Sequence, residues 1–361
     1  MKKQADNIPR PHLERVARLR TLLERRKLDG YLVKNRMDQY WLTGFTGEDG
    51  YVLITPRKVV LLTDGRFSEA ADVEAPWAVK VLRKQRTPQR TADELRKCKL
   101  TRVGFDPGHF TVAEHKATQK AARPIKLVEV PGAILDMRLI KDAGEVTAIR
   151  EAIRVAEQAF RKVVRWVKPG LTEAEISARL AYEMQNLGAS EVSFPTIVAV
   201  GANASLPHYE PGRGVVRDGQ GILIDWGARV GWYVSDLTRM IWVGRVPPLM
   251  KKIEKVVRDA HDRAIAAVKP GKTCHEIDTV ARNVIAQAGF GPHFGHALGH
   301  GIGLDVHEAP RVGQETQIKL QPGMVITIEP GIYLPGKGGV RLEDDVLVTE
   351  SGCEVLSSLP L

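Results

Sequence analysis

The sequence predicts an α/β domain followed by an α+β domain built as an internal duplication, and three observations predict it. Charge changes character along the chain: residues 1–135 carry 27 Lys+Arg against 16 Asp+Glu, a balance of +11, and the remainder carries 26 against 27, or −1. In the first stretch, short apolar segments alternate with helical ones, the pattern of a sheet covered by helices. In the second, VKPGLTEAEISARL at 167–180 recurs as VKPGKTCHEIDTVA at 268–281, an offset of 101 that aligns Lys168, Pro169, Gly170, Thr172, Glu175 and Ile176 with their partners. Identities at a single offset mark two related halves. With 361 residues, 43% of them hydrophobic, the chain can fill two cores.

The elements follow in order. The start, MKKQADNIPRPHLERVARLR, has no apolar core of the kind a secretory signal needs, and no apolar run approaches the roughly 20 residues of a membrane span. A soluble, cytoplasmic protein is expected. Residues 10–29 read as a helix with Leu13, Val16, Leu19, Leu22 and Leu23 on one stripe, ended by Gly30. Strands are expected at 31–33, 51–54, 59–62 and 79–82, with helical stretches at 65–75 and 89–98. PGAILDMRLIK at 131–141 reads as a connection, and Asp142 as the N-cap of a helix reaching about Val167. Domains are therefore expected at 1–135 and 145–361, with a linker at 136–144. Each half of the second domain then reads as helix, helix and strands, the second helix ending near Gly188 or Gly289.

Composition excludes some partners. The net charge of +10 is carried by scattered residues with no nucleic-acid motif among them, so it reads as a solvated surface. Cys98, Cys274 and Cys353 match no zinc or redox spacing and read as reduced thiols.

The chemistry begins with Asp225 and Asp236 in the apolar hairpin GILIDWGARVGWYVSDLTRMIWV. A turn centred between Val230 and Gly231 sets the two aspartates opposite each other with Cβ atoms roughly 4.5–5.5 Å apart, which like charges disfavour unless something lies between them. One or two divalent cations would answer that. The duplication extends the idea, because Asp225 moved by 101 falls in VITIEPGIY, where Glu329 interrupts an apolar strand. A further strand, GGVRLEDDVLVTE, places Arg341 and Glu343 on one face. Between the acidic strands lies GHALGHGIGLDVHEAPR with His296, His300 and His307. Its glycines argue against the helical HxxxH zinc motif and suit a loop folded closely over a metal centre.

The set Asp225, Asp236, His300, Glu329 and Glu343, in DWGARVGWYVSD, GHGIGLDVHE, ITIEPGIY and VRLEDD, resembles the five-ligand signature of the pita-bread dinuclear metallopeptidases over about 145–361. YWLTGFTGEDGYVLIT and VVLLTDGRFSEAA resemble the creatinase-type N-terminal domain of the Xaa-Pro peptidases. Together they imply an α/β creatinase-type domain, then an α+β pita-bread catalytic domain with a pseudo-two-fold repeat, in a relative of prolidase or aminopeptidase P. By that resemblance Asp225 chelates one metal, His300 completes the shell of the other, Asp236 and Glu343 bridge both, and Glu329 binds metal and shuttles a proton. Two divalent ions are implied. The oxygen-rich set suits Mn²⁺, with Co²⁺ and Zn²⁺ as alternatives.

The same resemblance implies hydrolysis of the Xaa-Pro bond by a water that bridges the metals. His208, in SLPHYEPG, and His307 would hydrogen-bond the substrate, with His296 in support and Arg341 orienting a ligand carboxylate. Arg311, in HEAPR, stands where prolidase relatives place an arginine suited to the free carboxylate after proline, which favours a dipeptidase. An aminopeptidase acting on longer proline-containing peptides is the alternative. A non-catalytic binding protein on the same fold is the reading from another class. A homodimer is implied too, with the first domain capping the partner's site.

Overall fold

The structure, a computed structural model, describes residues 9–83 and 88–361. Residues 1–8, part of the start read above as lacking a secretory signal, lie outside them. The chain divides into two compact units between Met137 and Arg138.

The first unit is an α/β sheet domain. Helix α1 (Arg10–Arg26) buries Val16, Leu19 and Leu23. It ends earlier than Gly30 because Lys27 turns left-handed at φ 53° and its N–H caps Glu24 O and Leu23 O. Gly30 instead opens strand β1 (Gly30–Val33). There follow α2 (Arg36–Thr43), β2 (Tyr51–Ile54), β3 (Val59–Asp64), α3 (Ser68–Glu74), β4 (Val79–Arg83), α4 (Pro88–Lys97), β5 (Arg102–Phe105), α5 (Val112–Ala122) and β6 (Lys126–Glu129). The six strands form one sheet in the order β4-β3-β2-β1-β5-β6. Leu32, Leu53, Val60, Leu62, Leu95 and Val103 belong to its core. The 131–141 connection is not plain loop, since α6 (Ala133–Arg138) occupies part of it.

The second unit repeats itself in structure as in sequence. Its first half holds α7 (Ala143–Trp166), α8 (Glu173–Asn186), β7 (Glu191–Val192), β8 (Ile197–Val200), β9 (Gln220–Trp226), β10 (Ala228–Val230), β11 (Tyr233–Val234) and β12 (Leu237–Val243). Its second half holds α9 (Pro248–Ala267), α10 (Cys274–Gln287), β13 (Gly299–Gly301), β14 (Glu308–Val312), β15 (Val325–Ile328), β16 (Gly331–Leu334), β17 (Gly338–Arg341), β18 (Asp344–Val348) and β19 (Cys353–Val355). Residues 136–144, expected as a linker, contain the end of α6 and the start of α7, which Asp142 caps in a reciprocal box with Glu145.

The matched KPG segments have a physical reason. Thr172 with Glu175, and Thr273 with Glu276, form the same capping box at the starts of α8 and α10. Gly170 and Gly271, at φ 96° and 87°, make the left-handed turns before them. Each threonine also forms an isolated β-bridge to a later residue, Thr172 to Val215 and Thr273 to Lys319, so the offset between the halves grows from 101 to 104 (319 less 215). On the larger offset Asp225 corresponds to Glu329 itself.

Three expectations about the strands change. The hairpin register pairs Asp225 with Thr238, not with Asp236. Its turn is centred on Gly231 and Trp232, both with positive φ (54° and 75°), the type I′ conformation whose twist matches a hairpin. The slip is two residues, so both aspartates keep their face and become diagonal neighbours. The ribbon also breaks at Gly227, where a Cβ would lie 1.8 Å from Ser235 O, and passes from the β12-β9-β8 sheet into the β11-β10-β7 sheet.

Glu329 stands just beyond the end of β15 rather than inside a strand. GGVRLEDDVLVTE is two strands, β17 paired with β16, and β18 in the five-stranded sheet β14-β13-β15-β18-β19. Leu342 and Glu343 lie between them, and Glu343 bridges Thr238 of the other half.

Candidate metal centre

The seam between the two halves is where the acids gather. Asp225 is the last residue but one of β9, whose Trp226 is fixed on α7: its ring stacks on Phe160 at 4.2 Å between centroids, and Nε1 donates to Ala156 O at 3.0 Å. Asp236 precedes β12, and its N–H is received by Asp345 Oδ2 at 3.2 Å. His300 is the middle residue of β13, between two glycines that carry no side chain because a Cβ on either would strike backbone oxygen, of Thr327 at 2.0 Å and Ala309 at 2.2 Å. Asp236, His300 and Glu343 each offer a donor atom within 4.8 Å of the others. His300 Nε2 lies 3.6 Å from Asp236 Oδ2 and 3.5 Å from Glu329 Oε1.

The protonation states are set by these contacts. His300 Nδ1 is 3.1 Å from Gly301 O, so that nitrogen carries the proton and the lone pair of Nε2 faces the acids. Burial, with His307 nearby, pushes the His300 ring down to about 4, which keeps it neutral. The carboxyls of Asp236 and Glu329 are driven well above their usual range, first by burial and then by repulsion from Glu343. Glu343 is raised by burial and by Asp225. Asp225 is raised by burial in spite of Arg341, whose Nη2 donates to Asp225 Oδ2 at 2.5 Å. Asp225 Oδ1 is buried without a hydrogen-bond partner. Four crowded carboxyls, one orphaned oxygen and a neutral imidazole aimed at them form a donor set short of positive charge. Divalent cations fit it.

Around this centre a cavity of about 600 Å³ opens. Each residue singled out from the sequence lines it. His208 and His307 are exposed on its wall, and the His307 ring stands edge-on to His300 at 4.4 Å. Arg311, on β14 opposite His300 in register, is exposed where it lines the cavity. His296 has both nitrogens engaged, Nδ1 with Ala297 O at 2.7 Å and Nε2 with Tyr333 Oη at 2.9 Å. Arg341 Nη1 donates to the same Tyr333 oxygen at 2.9 Å, and its Nε donates to Thr238 Oγ1 at 3.1 Å. Burial, then Arg341, holds His296 down at about 4. It is therefore a neutral acceptor for the Tyr333 hydroxyl.

The structure adds hydroxyls the sequence reading did not single out. Thr238 Oγ1 donates to Glu343 Oε2 at 2.6 Å, and Thr327 Oγ1 receives the His300 N–H at 3.1 Å and faces Glu329 Oε1 at 3.4 Å. Tyr333 joins His296 to Arg341. Glu308, buried directly after His307, receives Lys141 Nζ at 3.1 Å and an Arg138 guanidinium N–H, and also the N–H groups of Leu304 and Asp305 at 2.9 and 3.1 Å. It thus pins the loop that carries His307. The spacing of an acid beside a pocket histidine was the available signal.

Residues 147–350 match metallopeptidase family M24, and residues 15–140 match the creatinase/prolidase N-terminal domain. The chain belongs to metallopeptidase family M24. Within M24 it is 34% identical over 345 residues to the Xaa-Pro dipeptidase of Pyrococcus horikoshii, covering 95% of this chain and 97% of that one. Its fold superposes on the Xaa-Pro dipeptidase from Bacillus anthracis with a TM-score of 0.94 at 35% identity, over 97% of this chain and 98% of that one. The X-Pro aminopeptidase from Thermotoga maritima gives 0.88 at 35% identity, over 93% and 97%. The M24 pita-bread fold behind a creatinase-type domain is the architecture expected from the sequence. As an M24 member the chain is a metallopeptidase, and divalent metal ions belong to its chemistry. Among the described residues no helix is long and apolar enough to cross a membrane.

Proposed function

We propose that the chain hydrolyses the bond between a residue and a following proline, acting as an Xaa-Pro dipeptidase with two divalent ions held by Asp225, Asp236, His300, Glu329 and Glu343. The observation that carries this reading is the convergence of those five donors in one cavity that Arg311 also lines. Mn²⁺ is the ion we assign, because four carboxylates and one imidazole are a hard donor set, which Co²⁺ or Zn²⁺ could also occupy. When bound, two such ions acidify water and polarise a carbonyl.

The chain supplies the rest. Glu329 takes the proton of the attacking water at a carboxylate oxygen and passes it to the leaving nitrogen. That nitrogen is proline's and has no hydrogen of its own in the peptide, so delivery of a proton is a requirement of the cleavage. Thr327 steadies Glu329 and the His300 backbone together. His208 and His307 present their rings to the substrate from the cavity wall. His296 acts at one remove, through Tyr333. Arg341 fixes Asp225 through Oδ2, which leaves Oδ1 as the oxygen free to meet a cation. Arg311 offers a planar fork to the free carboxylate of a dipeptide.

Similarity to an X-Pro aminopeptidase at a TM-score of 0.88 favours a second reading, cleavage of longer peptides. A Mn²⁺-loaded assay comparing Ala-Pro with Ala-Pro-Ala, beside a chelated control, separates the two. Faster turnover of Ala-Pro, abolished by chelation, is expected. Cleavage of neither peptide by protein shown to hold two metals would sink the enzymatic reading. A homodimer and a cytoplasmic location complete the proposal. The former rests on the family resemblance and is read by light scattering, and the latter is supported by three unpaired thiols, which suit a reducing compartment.

A further inference from the structure

We infer that Glu173 is a positioning residue that sets His208 in the cavity wall, an inference that rests on the substrate-binding role proposed for His208. Glu173 is the first residue of α8 and is fully buried. Its carboxylate receives four donors: Val200 N, Asn203 Nδ2 and Tyr209 Oη, each at 2.8 Å, and Gly212 N at 3.2 Å. Three of the four come from the segment 201–214, which carries His208. The backbone at the helix start grips that segment as well, Glu173 N donating to Gly214 O at 2.9 Å and Ala174 N to Gly212 O at 3.1 Å. Nothing larger than glycine fits at 214, where a Cβ would lie 2.6 Å from the carboxylate.

The duplication supplies an internal control. The equivalent first residue of α10 is Cys274, also fully buried. Its N–H donates to Ile318 O at 2.9 Å, and His275 N to Thr316 O at 2.9 Å, reproducing the two backbone bonds of the first half. The junction therefore folds with an uncharged thiol in that place, and the carboxylate of Glu173 answers a demand of the 201–214 segment that the fold alone does not make. Nor does the capping box need it, since Thr172 and Glu175 close that box without it. What distinguishes the segment is its cargo. His208, Tyr209 and Pro207 all line the cavity, and among the described residues the His208 ring has no hydrogen bond of its own to fix it. Its position is inherited from the backbone that Glu173 holds.

A double-mutant cycle tests this on the metal-loaded full chain, with Ala-Pro as substrate and metal content measured throughout. E173Q places an amide donor among four donors. It is expected to lower kcat/KM about tenfold to a hundredfold, the scale of a misplaced binding group, with both metals retained. On an H208A background E173Q is expected to cost less than about twofold, because coupled residues fail to add. Should E173Q not accumulate as folded protein, N203A removes one of the loop's donors to the same carboxylate and runs the same cycle. Equal losses on both backgrounds overturn the positioning role. An H208A enzyme as active as the parent overturns the His208 reading and this inference with it, whereas a slow H208A enzyme that loses as much again from E173Q overturns this inference alone.

Discussion

Arg341 directs Nη2 at Asp225, Nη1 at Tyr333 and Nε at Thr238, so it is at once a counter-charge and a clamp. Lysine would keep the charge and lose the fork. R341K is expected to bind Mn²⁺ about ten- to a hundredfold more weakly, the usual scale for a group that orients a ligand. Metal titration against a competing chelator reads it, and unchanged affinity would remove Arg341 from the centre. At the mouth, R311A is expected to raise KM for Ala-Pro about tenfold or more, the scale of a lost charge-assisted bidentate contact, while leaving Ala-Pro-Ala turnover alone. Unchanged dipeptide kinetics would mean that the substrate carboxylate is held elsewhere.

Glu308 ties its loop to acid stability. Burial pushes its carboxyl up, but Lys141 and Arg138 outweigh burial and hold it at about 2. A depressed folded value means that the pairing stabilises the protein above the unfolded value of about 4.3 and that this contribution fades as pH falls toward about 2. E308Q should flatten the acid limb of the melting-temperature profile between about pH 4 and pH 2. A limb parallel to that of the parent would contradict the assignment. The charged members of the site were legible in the sequence because apolar strands carry charge only for a reason. Thr238, Thr327 and Tyr333 were not, since a hydroxyl or phenol in a strand is ordinary β composition until a cavity gives it a neighbour.

Among the elements, the twin capping boxes are the clearest debt of structure to sequence. T172A and T273A are each expected to cost about 1 kcal/mol, read by urea unfolding. A loss within experimental error for either would show that packing, not capping, fixes that helix start. The hairpin teaches the limits of reading a ribbon. Placing the turn one residue early moved every pairing by two, because pairing partners shift at twice the rate of the turn centre. The face was still right, since side chains alternate with a period of two. What hid the true turn was Trp232 at φ 75°, a conformation in which sequence alone expects glycine or asparagine. W232G is therefore expected to preserve or raise stability, and a clear loss would mean that the indole packs usefully. The strand breaks at Gly227 and before Glu343 were illegible for a different reason. They mark where the chain passes from one sheet into another, which no local pattern reports.

At the scale of the molecule, the repeat was readable to within a few residues. The fixed offset of 101 brought Asp225 near Glu329, and three extra residues in the second half account for the difference. The first half contributes Asp225 and Asp236 to the cavity, and the second contributes His300, Glu329 and Glu343. The halves are linked through residues 244–247, between β12 and α9. A protein carrying an engineered protease site there is expected, once cut and its fragments separated under denaturant, to lose tight Mn²⁺ binding in each fragment and to recover it on mixing. Tight binding by one fragment alone would mean that a half-set of donors suffices.

The bridge between Thr238 and Glu343 has a temporal meaning as well as a spatial one. A ribosome delivers the chain in order, and the bridge that joins the two halves at the centre lacks one member until residue 343 has emerged. Until then Asp236 and His300 lack the third side chain whose donor atom stands within 4.8 Å of theirs. Assembly of the candidate centre thus waits on Glu343, the last of its grouped donors in chain order.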